Sequence, residues 1–367
     1  MNEEANEQLA IAAARRQRLQ EYMQEQKLDG ILISRRDNFA WLTCGGANNV
    51  LRQTENGSAY LLLTPKEQYL LAYRMDCGRI LEEQITGQGY EPVVNKWHEG
   101  DPALHFARLV HGALASDTPF QGARFVELAR MHGPLAPLEM ERCRWLGEQT
   151  AAVFEELVLE IHPGLAEETI AHMLSAKLTL RGMETEVLIT GSDDRIGRYW
   201  HAVPSGKTVE RFALIHGAAG KWGLHACVNR LVCFGEPPEQ IRRAHHAAKT
   251  IQARVLGMLS PGVKYADILK NQKQWYKELG YADDWELHFQ GGPMGYYLGD
   301  PLRCETDMRI ENNQAFDWFI TVRGVQTEEL TLLTDRGVEV ASIGKTWPRA
   351  NITVDSNIVT VPDIYIA

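Results

Sequence analysis

The stretch LIHGAAGKWGLHACVNR, residues 214–230, places an imidazole at His216 and a thiol at Cys227, eleven positions apart, with His225 two positions before the thiol. Imidazole and thiolate are good zinc ligands, so His216, Cys227, His225 and Glu328 would make up a tetrahedral donor set. The ordinary alternative stays open beside it, because a buried cysteine behaves as a small hydrophobe and a histidine in an apolar strand as a hydrogen-bonded core residue. Only His225-x-Cys227 is spaced to close a tight chelate. Other motifs fail: GAAGK lacks the gap of a phosphate-binding loop, and neither H-E-x-x-H nor G-x-S-x-G occurs. His245 and His246 are neighbours in a helical pattern and face different ways.

These groups need strands to hold them. Alternation puts His225, Cys227 and Asn229 on one strand face, and the glycines before them read as a turn between two short strands. Upstream, residues 7–26 read as a helix, DGILIS as a buried strand, NFAWLT as a second apolar run, and SAYLLLTPKEQYLLAY as two strands about a Pro-Lys turn. Helical signals at 75–86 and 101–115 complete an α/β domain, and MHGPLAPLEMERC reads as an interdomain linker. The second half echoes itself: PGLAEETIAHMLSAKLTLRG and PGVKYADILKNQKQWYKELG each run from a Pro-Gly pair through a helix to a closing glycine. A long helical pattern precedes each copy, at about 139–160 and 237–259, and strand material follows, which predicts two related α/β halves around a shared cleft.

The totals set limits. A chain of 367 residues predicts two domains, and 44% hydrophobic with 23% charged residues predicts a soluble globular protein. A net charge of −10 argues against nucleic acid or an anionic membrane as partner. Six cysteines without a C-x-x-C pair predict free thiols in a reducing compartment. With no signal-like or spanning apolar segment, the expected location is the cytoplasm.

The chain resembles the creatinase/aminopeptidase P/prolidase family over nearly its whole length. NFAWLTCGG resembles that family's amino-terminal module, HPGLAEETIAHML its Pro-Gly-x-x-Glu helix start, and HFQGGPMGYYLGD and GVQTEELTLLT its last two site segments. The resemblance implies a two-domain α/β (α+β) protein: an N-terminal creatinase-like α/β domain over 1–134, a C-terminal pita-bread domain with pseudo-twofold α/β halves over 135–345, and a tail over 346–367. Peptidases of this family hold two divalent metals with an Asp, a second Asp eleven residues later, a His and two Glu, and use them to generate hydroxide. Carried over position by position, these fall on His216, Cys227, Phe289, Phe319 and Glu328, so one of five ligands is kept. Asp317, on the same strand face as Phe319, would restore one carboxylate at most.

No metal and no other cofactor is therefore expected, and the resemblance implies a metal-independent, creatinase-like hydrolase of C–N bonds in a small amine or amide compound. His201, in RYWHAVPSGK, resembles the family's His-x-x-Pro stretch and takes the part of general acid and base, since imidazole titrates near neutral pH. Glu328 is expected to hold a cationic group, and His288 with Tyr296 to orient the acyl portion. Tyr297, His216, Asp317 and Arg303 join them as substrate-binding candidates. Arg198, Arg230 and Arg303 are alternatives as carboxylate clamps or internal partners of Glu328. The glycines of FQGGPMGY would let a ligand approach the backbone. The rival expectation is a non-catalytic pseudoenzyme that binds a small molecule or short peptide or serves as a dimer scaffold. A metal-dependent Xaa-Pro aminopeptidase with displaced ligands ranks below both. A homodimer is expected from the family.

Overall fold

The computed structural model describes residues 3–298 and 307–367. The chain divides into two compact units, residues 1–133 and 134–367, except that 222–224 group with the first. In the first unit the helix α1 (Glu3–Gln26) buries Ala12, Arg15, Leu19 and Met23, a spacing of three to four that marks one helical face. The strands that follow are β1 (Gly30–Arg35), β2 (Asn56–Leu63), β3 (Gln68–Tyr73), β4 (Glu91–Asn95), β5 (Leu114–Ser116) and β6 (Ala123–Phe125), in sheet order β4-β3-β2-β1-β5-β6. The apolar run NFAWLT is helical, within α2 (Arg36–Thr43), and ends where Cys44 turns left-handed at φ 57°. Short helices α3 (Arg74–Arg79) and α4 (Phe106–Leu109) lie beside the sheet strands in sequence. The helix expected over 101–115 is instead a 3-10 turn at Pro102–His105, the four residues of α4, and β5, with Phe106 and Val110 packed against Gly30 of β1.

In the second unit the internal echo is a structural repeat. Helices α5 (Pro137–Val158) and α6 (Glu167–Leu180) precede β7 (Glu184–Ser192), β8 (Phe212–Lys221) and β9 (Leu224–Cys233). Helices α7 (Glu239–Met258) and α8 (Tyr265–Glu278) precede β10 (Gly292–Met294), β11 (Gln314–Asp317), β12 (Ile320–Val322), β13 (Val325–Thr327), β14 (Leu330–Thr334) and β15 (Gly337–Val340). The likeness extends to single bonds. The amide of Gly164, at φ 93°, donates to Val209 O at 2.8 Å, and that of Gly262, at φ 90°, to Ile310 O at 2.8 Å. The residue before each second helix forms an isolated antiparallel bridge, Ala166 with Thr208 and Lys264 with Arg309.

Residues 346–367, expected as a tail, are built into this unit. β16 (Arg349–Val354) and β17 (Asn357–Pro362) form a hairpin, and β18 (Tyr365–Ile366) pairs in parallel with β9 to give the sheet order β18-β9-β8-β7. Lys249 of α7 holds Asp363 with both carboxylate oxygens at 2.8 Å. The last part of the expected linker is likewise ordered, since Pro137 occupies the first turn of α5, where its missing N–H costs nothing. The second sheet runs β10-β11-β14-β15, with β12 and β13 as a separate pair.

Candidate functional site

Four strand positions carry the inner part of the site. His216 lies in β8, opposite Ile189 of β7, and Cys227 lies in the adjoining β9; Asp317 ends β11, and Glu328 falls between β13 and β14. Ligand atoms of Cys227, Asp317 and Glu328 all lie within 4.8 Å of one another. His216 Nδ1 is 2.6 Å from Glu328 Oε2, yet the two are not aligned as a hydrogen bond. All four residues are buried, Glu328 completely.

Burial decides their charge. It depresses His216 to about 4, so its ring is neutral at pH 7. Burial raises Glu328 to about 8, and it lifts Asp317 well above the carboxylate range, with the Glu328 charge adding to the effect. The Cys227 thiol is pushed well up by burial, then by both carboxylates. Burial thus biases the two carboxyl groups and the thiol toward their protonated forms and the imidazole toward its neutral one.

The outer part is a pair of histidines. His201 Nε2 and His288 Nε2 are 2.7 Å apart, the rings edge to face. His288 Nδ1 lies 2.8 Å from Phe289 O, and a carbonyl only accepts, so His288 donates there and leaves its Nε2 lone pair for His201 Nε2–H. The lone pair of His201 then sits on Nδ1. Burial lowers the pKa of His201, and that of His288 to about 4, so both rings are neutral at pH 7. Arg198, Tyr199, Trp200, Leu287 and Phe289 line an open cleft with the two histidines.

The supports are buried amides. Gln290 donates to His288 O at 2.8 Å and accepts from Tyr276 Oη at 3.0 Å. Gln326 donates to Trp200 O at 3.0 Å, and Asn229 donates to Gln326 at 3.1 Å. The glycines of FQGGPMGY serve the backbone rather than a ligand: at Gly291, φ 85°, a Cβ would meet Asp317 O at 2.1 Å.

Aromatic rings stand between the two parts. His288 stacks on Phe319 at 4.5 Å and 9°, Phe319 lies 5.6 Å from His216, and the rings of Phe289 and Phe319 are 5.7 Å apart. Phe289 is 44% exposed and Phe319 is buried. Two of the five positions that the resemblance assigns to metal ligands are thus phenyl rings, which carry no lone pair. The donors present do not fit a pair of ions.

Other expected site residues lie elsewhere. Tyr296 is 1% exposed and donates to Glu139 of α5, so it is a core phenol and does not line the cleft. Glu328 does not line the cleft either, so the expected salt link to a substrate cation has no geometry to support it. Tyr297 is half-buried. Arg303 lies outside the described residues. Arg198 is exposed and pairs with Asp194, while Arg230 is buried and pairs with Glu329, one residue beyond Glu328. His225 of the zinc alternative meets Gly295 O at 3.0 Å, and Asp317 takes its place near Cys227. Among the described cysteines, Cys77, Cys143, Cys227 and Cys233 are free thiols. Sequence reasoning missed the aromatic partition, although Phe319 alternating with Asp317 was its signal.

The family model described as metallopeptidase family M24 matches residues 141–334, and that of the creatinase/prolidase N-terminal domain matches residues 15–115. No curated protein matches the chain. Among solved structures, the Xaa-Pro dipeptidase from Bacillus anthracis is 17% identical with a TM-score of 0.75, over 97% of this chain and all of that one. The X-Pro aminopeptidase from Thermotoga maritima is 18% identical with a TM-score of 0.71, over 96% and 99%. The N-terminal domain of the FACT complex subunit SPT16 from chickpea is 11% identical with a TM-score of 0.69, over 91% and 96%. At these identities the likeness establishes the fold alone. Among the described residues, no helix is long and apolar enough to cross a membrane.

Proposed function

We propose, from the premise that this chain belongs to the metallopeptidase family M24, that it hydrolyses a C–N bond in a small amine- or amide-bearing molecule without the two-metal chemistry of that family. The observation that carries this reading is the hydrogen bond between His201 and His288, with Phe289 O behind it. His201 Nδ1 faces the task of general base toward a water. The proton it gains is shared through Nε2 with His288 and returned to the leaving nitrogen, so that no net proton is consumed. His288 is a positioning residue that fixes the tautomer, much as a third group orients the base in other hydrolytic sites. Trp200 and Tyr199 supply apolar walls, and Arg198 a cation at the rim for a carboxylate. No step is assigned to a metal-bound hydroxide, because Phe289 and Phe319 stand where ligands would be needed.

A second reading, a non-catalytic binding module or dimer scaffold, is favoured by the aromatic partition that seals the inner groups from the cleft. The expected ligand in either case is a small molecule or short peptide, in a cytoplasmic homodimer. A panel of small amides, amidines and Xaa-Pro dipeptides separates the readings. Turnover that His201→Ala abolishes supports the hydrolase; ligand-induced melting shifts without turnover support the module. Turnover that survives His201→Ala would refute the assignment of the base.

A further inference from the structure

His201 rides on a loop that one buried acid closes. Glu167 opens α6 and is fully buried, and its carboxylate is met by donors from the end of β7 and from the loop that follows. Ser192 N and Oγ donate to Glu167 Oε1 at 2.9 and 2.7 Å, Ser205 N and Oγ donate to Oε2 at 3.2 and 2.8 Å, and Arg195 Nη1 donates to Oε2 as well. The guanidinium then reaches both sides of the histidine. Arg195 Nη2 donates to Val203 O at 3.0 Å, and its central carbon lies 5.5 Å from the centre of the Tyr199 ring, so the groups it holds stand two residues after and two residues before His201. Ala202 O accepts from Thr190 N at 3.2 Å. The repeat shows that a Pro-Gly helix start does not itself demand this charge: the matching place in the second half is Tyr265, whose hydroxyl donates to Gln314 Oε1 at 3.1 Å. A largely buried ion pair is a poor source of stability, because desolvation offsets most of the attraction, so its presence here points to a geometry being held.

We propose that Glu167 and Arg195 are positioning residues for His201, which hold the loop over 193–205 in the shape that brings His201 Nε2 to His288 and sets Tyr199 in the wall of the cleft. The proposal rests on the reading of His201 as general base. Neither Glu167 nor Arg195 lines the cleft, so both act through the loop. Glu167 shares its two oxygens between Ser192, where the loop begins, and Ser205, where it ends, so the neck cannot open without breaking bonds on both sides. The fork of Arg195 is needed, and not a positive charge alone: its donors diverge to Glu167, to Val203 O and to Ser205 Oγ at 2.7 Å, while its face covers Tyr199. An ammonium in the same place would answer the Glu167 charge but could not span those partners. Loss of the fork frees the backbone on either side of His201, and a base displaced by about 1 Å loses roughly 100-fold in rate.

Full-length protein labelled with nitrogen-15 histidine is measured by NMR at pH 8, with the His201 signals identified by their loss in His201→Ala. The wild type is expected to show a His201 Nε2–H proton shifted downfield and protected from exchange with water by its bond to His288. Arg195→Lys should lose that signal to exchange while the melting temperature stays near the wild-type value, and Ser205→Ala, which removes no charge, should weaken it. Where the wild type turns a substrate over, Arg195→Lys should lower kcat roughly 10–100-fold and leave KM nearly unchanged. A ring proton that is absent from the wild type, unchanged in both variants, or lost only in step with the melting temperature overturns the proposal; if Arg195→Lys does not fold, Ser205→Ala decides it. A wild type that turns over nothing, yet shows the ring proton and its loss in Arg195→Lys, counts against the hydrolase alone and supports the role of the pair in holding the loop.

Discussion

His201 Nε2 lies 2.7 Å from His288 Nε2, although the two residues are 87 positions apart. Each comes from a loop held by a buried amide, Gln326 under Trp200 and Gln290 under His288. Replacing His201 by Ala is expected to lower kcat roughly 10²–10⁴-fold, the usual worth of a general base. His288→Ala should cost less and should leave KM nearly unchanged, because that ring acts through His201. Steady-state kinetics on a cleaved amide checks both; equal losses would make His288 a catalytic group in its own right.

The pH dependence follows from burial. Both rings are held neutral, His201 below the ordinary histidine value and His288 at about 4. The base is competent while His201 is unprotonated, so kcat/KM should stay level from pH 8 down to pH 7 and fall only below the ordinary histidine pKa. An acid limb centred above pH 7 would contradict the neutral pair.

Arg230 and Glu329 form a buried ion pair, with Ser342 Oγ donating to Glu329 Oε2 at 2.6 Å. Removing the cation alone leaves a buried carboxylate unpaired, so Arg230→Ala is expected to cost about 3–5 kcal/mol. Arg230→Met combined with Glu329→Leu should recover most of that loss. Denaturant unfolding of the single and double variants checks it, and a double variant as unstable as Arg230→Ala would show that the pair itself is needed.

The repeat predicts a matched pair of effects. Gly164 and Gly262 take φ of 93° and 90°, and no atom lies within 4 Å of a Cβ at either, so the cost of substitution is conformational alone. Ala at either position should destabilise by about 1 kcal/mol or more, and by similar amounts. Thermal unfolding of the two variants measures this; a large loss at one site and none at the other would mean the halves are not equivalent.

Some of this was legible in the sequence. The repeat was, because a positive-φ glycine on each side of a helix leaves a spacing that side-chain packing does not blur. The hairpin was too, since strand alternation placed His225, Cys227 and Asn229 on one face, and they meet Gly295, Met294 and Gln326. Tyr296 was read as a pocket residue because its partner Glu139 is 157 positions away and nothing local announces the bond. Glu328 was read as a substrate contact, yet its surroundings are set by three strands whose pairing no local pattern reveals. The short pieces over 102–116 were taken for one helix because an apolar 3-10 turn and a strand share the spacing of a helix over so few residues.

Phe289 and Phe319 carry no lone pairs, so the donors present do not fit two ions. Crystals grown with zinc and manganese, measured at both absorption edges, test it most directly. The expected result is no pair of peaks among His216, Cys227, Asp317 and Glu328 and none between Phe289 and Phe319. Two peaks about 3.5–4 Å apart, the spacing of hydrolytic two-metal sites, would contradict it.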